Sequence, residues 1–490
     1  MKKHVLSFVI ICLSLVSITS NAQVTDTSSI QQSFEQYRQN AIQGYNRYRD
    51  QAKKDFEEFL AEAWTSFQCF KGEAGMFSDP KPEQMPAPKT FSGVIDTKGP
   101  AVNIDIRSIP RTKHSKSEEY KIPEGKDVLT IRFYGLTLGF HFPASLKAKA
   151  NSTKEKDVAR YYVAMQKNPD VKPLQQELEA TMQRLGLNEY GYYLLLRSIS
   201  EKAFTSRNDC VLFCFYMLHS HGFKARVGRG NESKQLMLLL AIDNSKEVYT
   251  LPFFRFNNVK YYTVYGGIDG EDAYSYDEKA DDSGLKEIGL DFKQTLDLAA
   301  CDKKRVLPLT KLNISIEIPY STSHIRYYEA MPMTVFPIYF KSGLAPEAQQ
   351  VLAETFGELS KRYNKTQLVD IILNFVQTAF NYKIDEEQFG HEKYFFPEEV
   401  IGYPYSDCED RCALFAWLVR TFAQVEVVGV LYPDHLATGV YFGEGVSLNG
   451  TGFDHKGKHY MICDPTYTNA SIGSVMPGYT NKKYEVVDIR

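Results

Sequence analysis

The chain has 490 residues, 43% of them apolar and 24% charged, with a formal net charge of −3. That length suits two or three domains, and the mild acidity gives no electrostatic reason to bind nucleic acid. No run beyond residue 22 approaches 18 apolar residues, which excludes a later membrane-spanning helix.

Residues 1–22 read as a secretory signal peptide. Lys2 and Lys3 supply the positive start, residues 5–16 the apolar stretch, and Ser20-Asn21-Ala22 the small residues before a cut near Ala22. A lipid anchor at Cys12 ranks lower, because Ile11 is bulky for that motif. The expected product is exported, to the periplasm or beyond. Seven cysteines remain: Cys69, Cys210, Cys214, Cys301, Cys408, Cys412 and Cys463. An odd number leaves at least one unpaired within the chain.

Residues 23–77 form a helical N-terminal segment. Phe34, Tyr37, Ala41, Tyr45, Tyr48, Ala52, Phe56, Phe59, Ala63, Phe67 and Phe70 recur at steps of three and four, the period of a straight amphipathic helix. Such a helix packs on the body of the protein or binds a partner. Pro80, Pro82, Pro86 and Pro88 mark a linker over 78–90. Strands and hairpins are expected at 91–107 and 128–142, and helices at 154–168, 173–186 and 188–204. Residues 210–218 and 412–419 are apolar without a break, so each predicts a helix buried all round. The acidic stretch 269–291 reads as a solvated loop, without the spacing of a calcium loop.

The two buried helices begin alike, at Asn208-Asp209-Cys210 and Ser406-Asp407-Cys408. Asn208 and Ser406 are the expected N-caps, Ser406 with Glu409 forms a capping box, and each cysteine takes the second helical position. A second cysteine follows one turn later, Cys214 and Cys412. Strand-like runs then correspond, with Gln235 standing where His435 stands and Tyr265 where Asp464 stands. The chain thus reads as two copies of one unit. The first, 91–300, has lost the base and the acid; a β segment, 301–344, leads to the second, 345–490.

In the second copy Cys408, His435 and Asp464 follow one another at separations of 27 and 29 residues. A thiol attacks as thiolate, and a helix N-terminus beside an imidazole favours that form. His435 then serves as the base that later protonates a leaving amine, and Asp464 fixes its tautomer. The Cys408 amide, at the helix end, suits an oxyanion. Asp407, Glu409 and Asp410 oppose this, since negative charge raises a thiol's pKa unless they turn away.

Residues about 345–475 resemble a transglutaminase-like domain, a variation on the papain-like fold. Phe375-Val376-Gln377-Thr378-Ala379-Phe380-Asn381-Tyr382 resembles the helix before that family's catalytic segment. Tyr405-Ser406-Asp407-Cys408-Glu409-Asp410 is similar to its cysteine motif, with Ser406 where Gly is common. Asp434-His435-Leu436-Ala437 resembles its His-Ala-Trp strand, although Leu436 and Ala437 depart from that wording. Cys463-Asp464-Pro465-Thr466 is similar to its Asp-Pro-Thr signature. The resemblance covers about a quarter of the chain, with an echo at 188–268. It implies an α+β fold and a Cys408 nucleophile, His435 base and Asp464 orienting acid. It also implies a hydrolase of peptide or amide bonds more than a protein cross-linker, and no calcium requirement carries over.

Weaker constellations are Cys210, Cys214, His219 and His221 as zinc ligands, which lack the two short chelating pairs of structural sites. His455 and His459 are expected in a solvated loop, His391 near the site, and Tyr382 and Tyr405 on a groove wall. The reading is therefore an exported cysteine hydrolase or acyltransferase with a peptide or protein substrate and with neither cofactor nor metal. The alternative is a scaffold or interaction protein that no longer catalyses.

Overall fold

The computed structural model describes residues 122–489, apart from 244, 268–271, 276–281 and 283. The expected signal peptide, N-terminal helix, proline linker and strands at 91–107 lie outside the described residues. What is described is mixed α and β, with its larger sheets curled into half barrels.

The first half opens with a hairpin, β1 (Val128–Phe133) and β2 (Leu136–His141). Four helices follow: α1 (Glu155–Gln166), α2 (Val171–Leu185), α3 (Glu189–Ala203) and α4 (Arg207–Ser220). Gly186 ends α2 in the left-handed conformation that a residue without Cβ adopts most easily. Asn188 then caps α3, its side chain accepting from the Gly191 N–H at 2.8 Å. Helix α4 is buried from Asp209 to Leu218, as its unbroken apolar run requires. It packs on β3 (Ala225–Gly230) and β4 (Leu236–Ala241). With β5 (Phe253–Phe256), β6 (Val259–Tyr265) and β7 (Ala273–Ser275) these make an antiparallel sheet of order β5-β6-β4-β3-β7. The stretch expected to be a solvated loop therefore contains an edge strand, β7.

Residues 301–344 hold the expected β segment as a hairpin, β8 (Lys303–Leu309) and β9 (Ile314–Tyr320), but end in two helices, α5 (Thr322–Glu329) and α6 (Pro337–Lys341). The second half then runs through α7 (Pro346–Ser360) and α8 (Lys365–Ala379). Pro346 opens α7 where its missing N–H costs nothing. Asn364 and Gln367 close a capping box on α8, with both bonds at 2.9 Å. The short elements β10 (Asn381–Tyr382), α9 (Asp385–Phe389), α10 (Pro397–Gly402) and β11 (Tyr405–Ser406) lead into α11 (Cys408–Leu418). Helix α11 packs on β13 (His435–Tyr441), the middle strand of the second large sheet. That sheet adds β12 (Glu426–Tyr432), β14 (Gly452–His455), β15 (Lys458–Cys463) and β16 (Glu485–Asp488) in the order β14-β15-β13-β12-β16.

Strand for strand, the two sheets have the same order and the same antiparallel pairings, each behind an apolar helix. The repeat read from two cysteine-bearing helices thus extends to the whole sheet. One hydrophobic core runs through both halves, from Ile131 to Ile489.

Glu398, fully buried on α10, joins two helix starts. Its oxygens accept the N–H groups of Ser321 and Ala345, the residues before α5 and α7, at 2.7 Å each. Burial pushes this carboxyl up to about 7, against the pull of those two hydrogen bonds. A raised folded-state value favours the protonated form. The stability it contributes is therefore complete below the ordinary glutamate range and lost as pH rises through about 7. Glu398→Gln removes that slope and sets an NH₂ group against a backbone donor. We expect its thermal midpoint to lie below wild type, with a gap larger at pH 5 than at pH 8; a gap that widens with pH contradicts the sign.

Candidate active site

The N-terminus of α11 carries Cys408 as its first helical residue, not its second. The N-caps also differ from expectation. Asp407 caps α11, and its N–H donates to the Asp410 carboxylate at 3.3 Å. Ser406 instead accepts from Arg411 Nε at 3.3 Å. In the first half Ser206 caps α4, placing Cys210 fourth, while Asn208 accepts from the Leu236 N–H at 2.8 Å and ties α4 to β4. In each case the expected cap accepts another donor, Leu236 N–H at Asn208 and Arg411 Nε at Ser406, and a nearby residue takes the cap.

His435 starts β13 and Asp464 follows β15. The ladder pairs Thr438 with Cys463, which brings the two ends together. His435 Nε2 and Asp464 Oδ2 lie 2.8 Å apart, both residues buried. Asp464 is itself held, its Oδ1 accepting from the N–H groups of Thr466 at 2.9 Å and Tyr467 at 3.2 Å. The Asp-Pro-Thr sequence thus makes a turn that aims a carboxylate. With Nε2–H given to Asp464, the other ring nitrogen, Nδ1, keeps its lone pair. Nδ1 is buried and has no hydrogen-bond partner among the described residues.

Cys408 is completely buried, and its thiol donates to Glu409 Oε2 at 2.9 Å. Glu409 therefore does not turn away from the sulfur. One turn on, the Cys412 thiol donates to Leu436 O, beside His435, at 3.2 Å. Burial raises Cys412 and Cys463 well above the ordinary thiol range, which keeps both as inert SH groups. Tyr479 closes the site. Its ring centre lies 5.0 Å from that of His435, its phenol is electrostatically coupled to Cys408 and Asp464, and Lys482 sits 4.1 Å over its face. Lys482 also donates to both oxygens of Asp434, at 2.9 and 2.7 Å.

Arg411 and Gln377, given no individual role in the sequence reading, brace the site. The Arg411 side chain is buried and donates to Phe380 O at 2.7 Å, over the Tyr382 ring at 5.4 Å. Gln377, from α8, gives Nε2–H bonds of 3.0 Å to both Asp464 O and Ala470 O. Behind it Gly450 and Gly473 cross so closely that a Cβ on Gly450 would meet Gly473 Cα at 2.7 Å. Two acidic triads share Asp385: one with Glu392 and Glu409, one with Asp407 and Asp410, all buried, with oxygens within 4.8 Å of one another. The Lys393 and Phe395 N–H groups already occupy oxygens of Asp385 and Asp410, at 2.7 and 2.8 Å.

The other candidates disperse. Cys210 and Cys214 donate to Ser200, at 3.3 and 3.4 Å; His219 meets Tyr162 and His221 meets Glu179. These four do not converge on one point. His455 and His459 lie on the β14–β15 hairpin rather than in a loop, paired with Asp488 and Asp454. His391 meets Phe389 O at 3.1 Å. Tyr405 is partly exposed, with Lys383 over its ring. In the first half Tyr265 lies against the Cys210 thiol, with Arg197 over its ring at 4.7 Å. A phenol there stands where the second half has a carboxylate.

No helix among the described residues is long and apolar enough to cross a membrane. Comparison with family models, with curated proteins and with solved structures finds no match.

Gln377→Leu leaves the Asp464 and Ala470 carbonyls buried without their donor. We expect a loss of roughly 1–3 kcal/mol in stability, read by denaturant unfolding. An unchanged midpoint would show that the Asp464 turn does not need this brace.

Proposed function

We propose that the protein is an exported cysteine hydrolase or acyltransferase of transglutaminase-like, papain-like fold, acting on peptide or amide bonds through Cys408, His435 and Asp464. The observation that carries this reading is the buried His435–Asp464 hydrogen bond with Nδ1 left open, beside the helix start that bears Cys408. The duplicated antiparallel sheet, each copy behind one apolar helix, supports the fold assignment.

The chemistry follows from those positions. His435 Nδ1 takes the thiol proton, and Asp464 stabilises the imidazolium. The thiolate attacks the substrate carbonyl, forming a C–S bond, and backbone N–H groups at the start of α11 offer charge to the oxyanion. His435 returns the proton to the amine as the C–N bond breaks, leaving a thioester. Water, or an amine in the acyl-transfer variant, then attacks the thioester, gives His435 its proton, and frees the thiol.

A second reading is a scaffold that has ceased to catalyse, favoured by the complete burial of Cys408 and its bond to a carboxylate. Cleavage of a peptide library separates the two. We expect turnover that is lost in Cys408→Ala and falls by at least about a hundredfold in His435→Ala, the scale of general acid–base catalysis. A binding partner retained by Cys408→Ala, with no turnover by wild type, selects the scaffold.

A further inference from the structure

We propose that Glu409 holds Cys408 as a protonated thiol in the resting site and must release it before attack; this rests on Cys408 being the nucleophile. Glu409 is buried, adjacent in sequence, and its Oε2 accepts the thiol hydrogen at 2.9 Å. A sulfur that donates a hydrogen bond carries its proton, and an anionic oxygen at that distance opposes its loss. Glu409 thus competes with His435 Nδ1 for the hydrogen bond of the thiol, and while Glu409 holds that bond the sulfur keeps its proton.

Glu409 stands among other buried acidic groups. On its inner side, from α9 and the segment after it, come Asp385 and Glu392, whose oxygens lie within 4.8 Å of those of Glu409. On its own helix stand Asp410, Arg411 and Cys412. Arg411 is the cation nearest in the chain, but its bonds run to Phe380 O, Gln377 O and Ser406 Oγ. Tyr394 faces Glu409, and burial raises this phenol well above its usual range, so it brings no second anion. Tyr479 acts electrostatically on both Cys408 and Asp464, and Asp464 in turn holds His435. The first half lacks this arrangement. Residue 211, after Cys210, is Val211, and the Cys210 thiol donates to the Ser200 carbonyl. The restraint belongs to the half that keeps the base and the acid.

This device makes an opposite prediction from that for a helpful carboxylate. If Glu409 assisted attack, its removal would slow the thiol. If it restrains the thiol, removal quickens it. Iodoacetamide alkylation, followed on the tryptic peptide 394–411, reads Cys408 alone, because cleavage after Arg411 separates it from Cys412. The full chain is used, with folding checked by thermal melting. In Glu409→Gln we expect Cys408 to react at least about tenfold faster at pH 7, with the midpoint of its pH–rate profile about one unit lower. Glu409→Asp, which keeps the charge on a shorter arm, should fall between the two and covers the case that the amide variant fails to fold.

Cys408 reacting at the wild-type rate, more slowly, or not at all in the folded variant overturns the inference. A wild-type rate that depends on His435 but not on Glu409 leaves the proposed activity standing and removes only the restraint. Faster labelling in Glu409→Gln, with no turnover by any variant, supports the restraint and removes the hydrolase.

Discussion

Burial of charge at the start of α11 is the constraint on which the rest of the site depends. Arg411 lies inside the protein, with Asp407, Asp410 and Asp464 acting on its guanidinium. Its bonds reach the end of α8 and the Ser406 position, so one cation fastens α8, the β10–β11 bridge and α11 together. Removing such a group would leave buried carboxylates without their counter-charge, which costs far more than the net worth of the pair. The same geometry fixes the direction of α11, and therefore where its first residue, Cys408, points its N–H.

The two halves share a sheet order, yet they differ between helices. In the first half α3 and α4 are joined by residues 204–206; in the second, α8 and α11 are separated by residues 380–407. The longer connection supplies Asp385, Glu392, Glu398 and Tyr394, and so the acidic lining behind Cys408. It also turns residues 381–382 and 405–406 into a short parallel bridge that delivers the chain to the helix start. The first half, with only three residues there, has no such connection, and the carboxylates that act on its cysteine, Glu201 and Asp209, come from α3 and α4. Its Cys210 is instead enclosed by Ser200 and Tyr265.

Asp464 illustrates how a loop residue becomes rigid. Two N–H groups of its own turn hold the carboxylate, Gln377 holds its carbonyl, and the Gly450–Gly473 crossing pins the chain beyond it. At Gly473 the backbone is left-handed, and the Thr451 N–H donates to the Gly473 carbonyl at 2.8 Å. A side chain at either glycine would part the two segments. The orienting role proposed for Asp464 needs this rigidity, since the effect of such an acid on an imidazole depends on angle as well as distance.

The chain alone determined the two apolar helices and the strands that follow them, because unbroken apolar runs and β-rich runs bounded by turns leave few other solutions, but not α5 and α6 within the expected β segment. It also determined the spacing of Cys408, His435 and Asp464, which one ladder register needs in order to join a strand start to a strand end. Ser206 and Asp407 as caps were not legible, because Asn208 and Ser406 are equally good local candidates and lost the role only through bonds to Leu236 and Arg411. The β7 edge strand inside an acidic stretch was hidden for a similar reason, since pairing with β3 outweighs local preference. Only the tertiary structure decided that Glu409 faces the sulfur, that Gln377 braces Asp464 and that Tyr479 covers His435. Those contacts join residues 1 to 87 positions apart, and local sequence encodes which groups are present, not which way a buried side chain turns once its neighbours have filled the space around it.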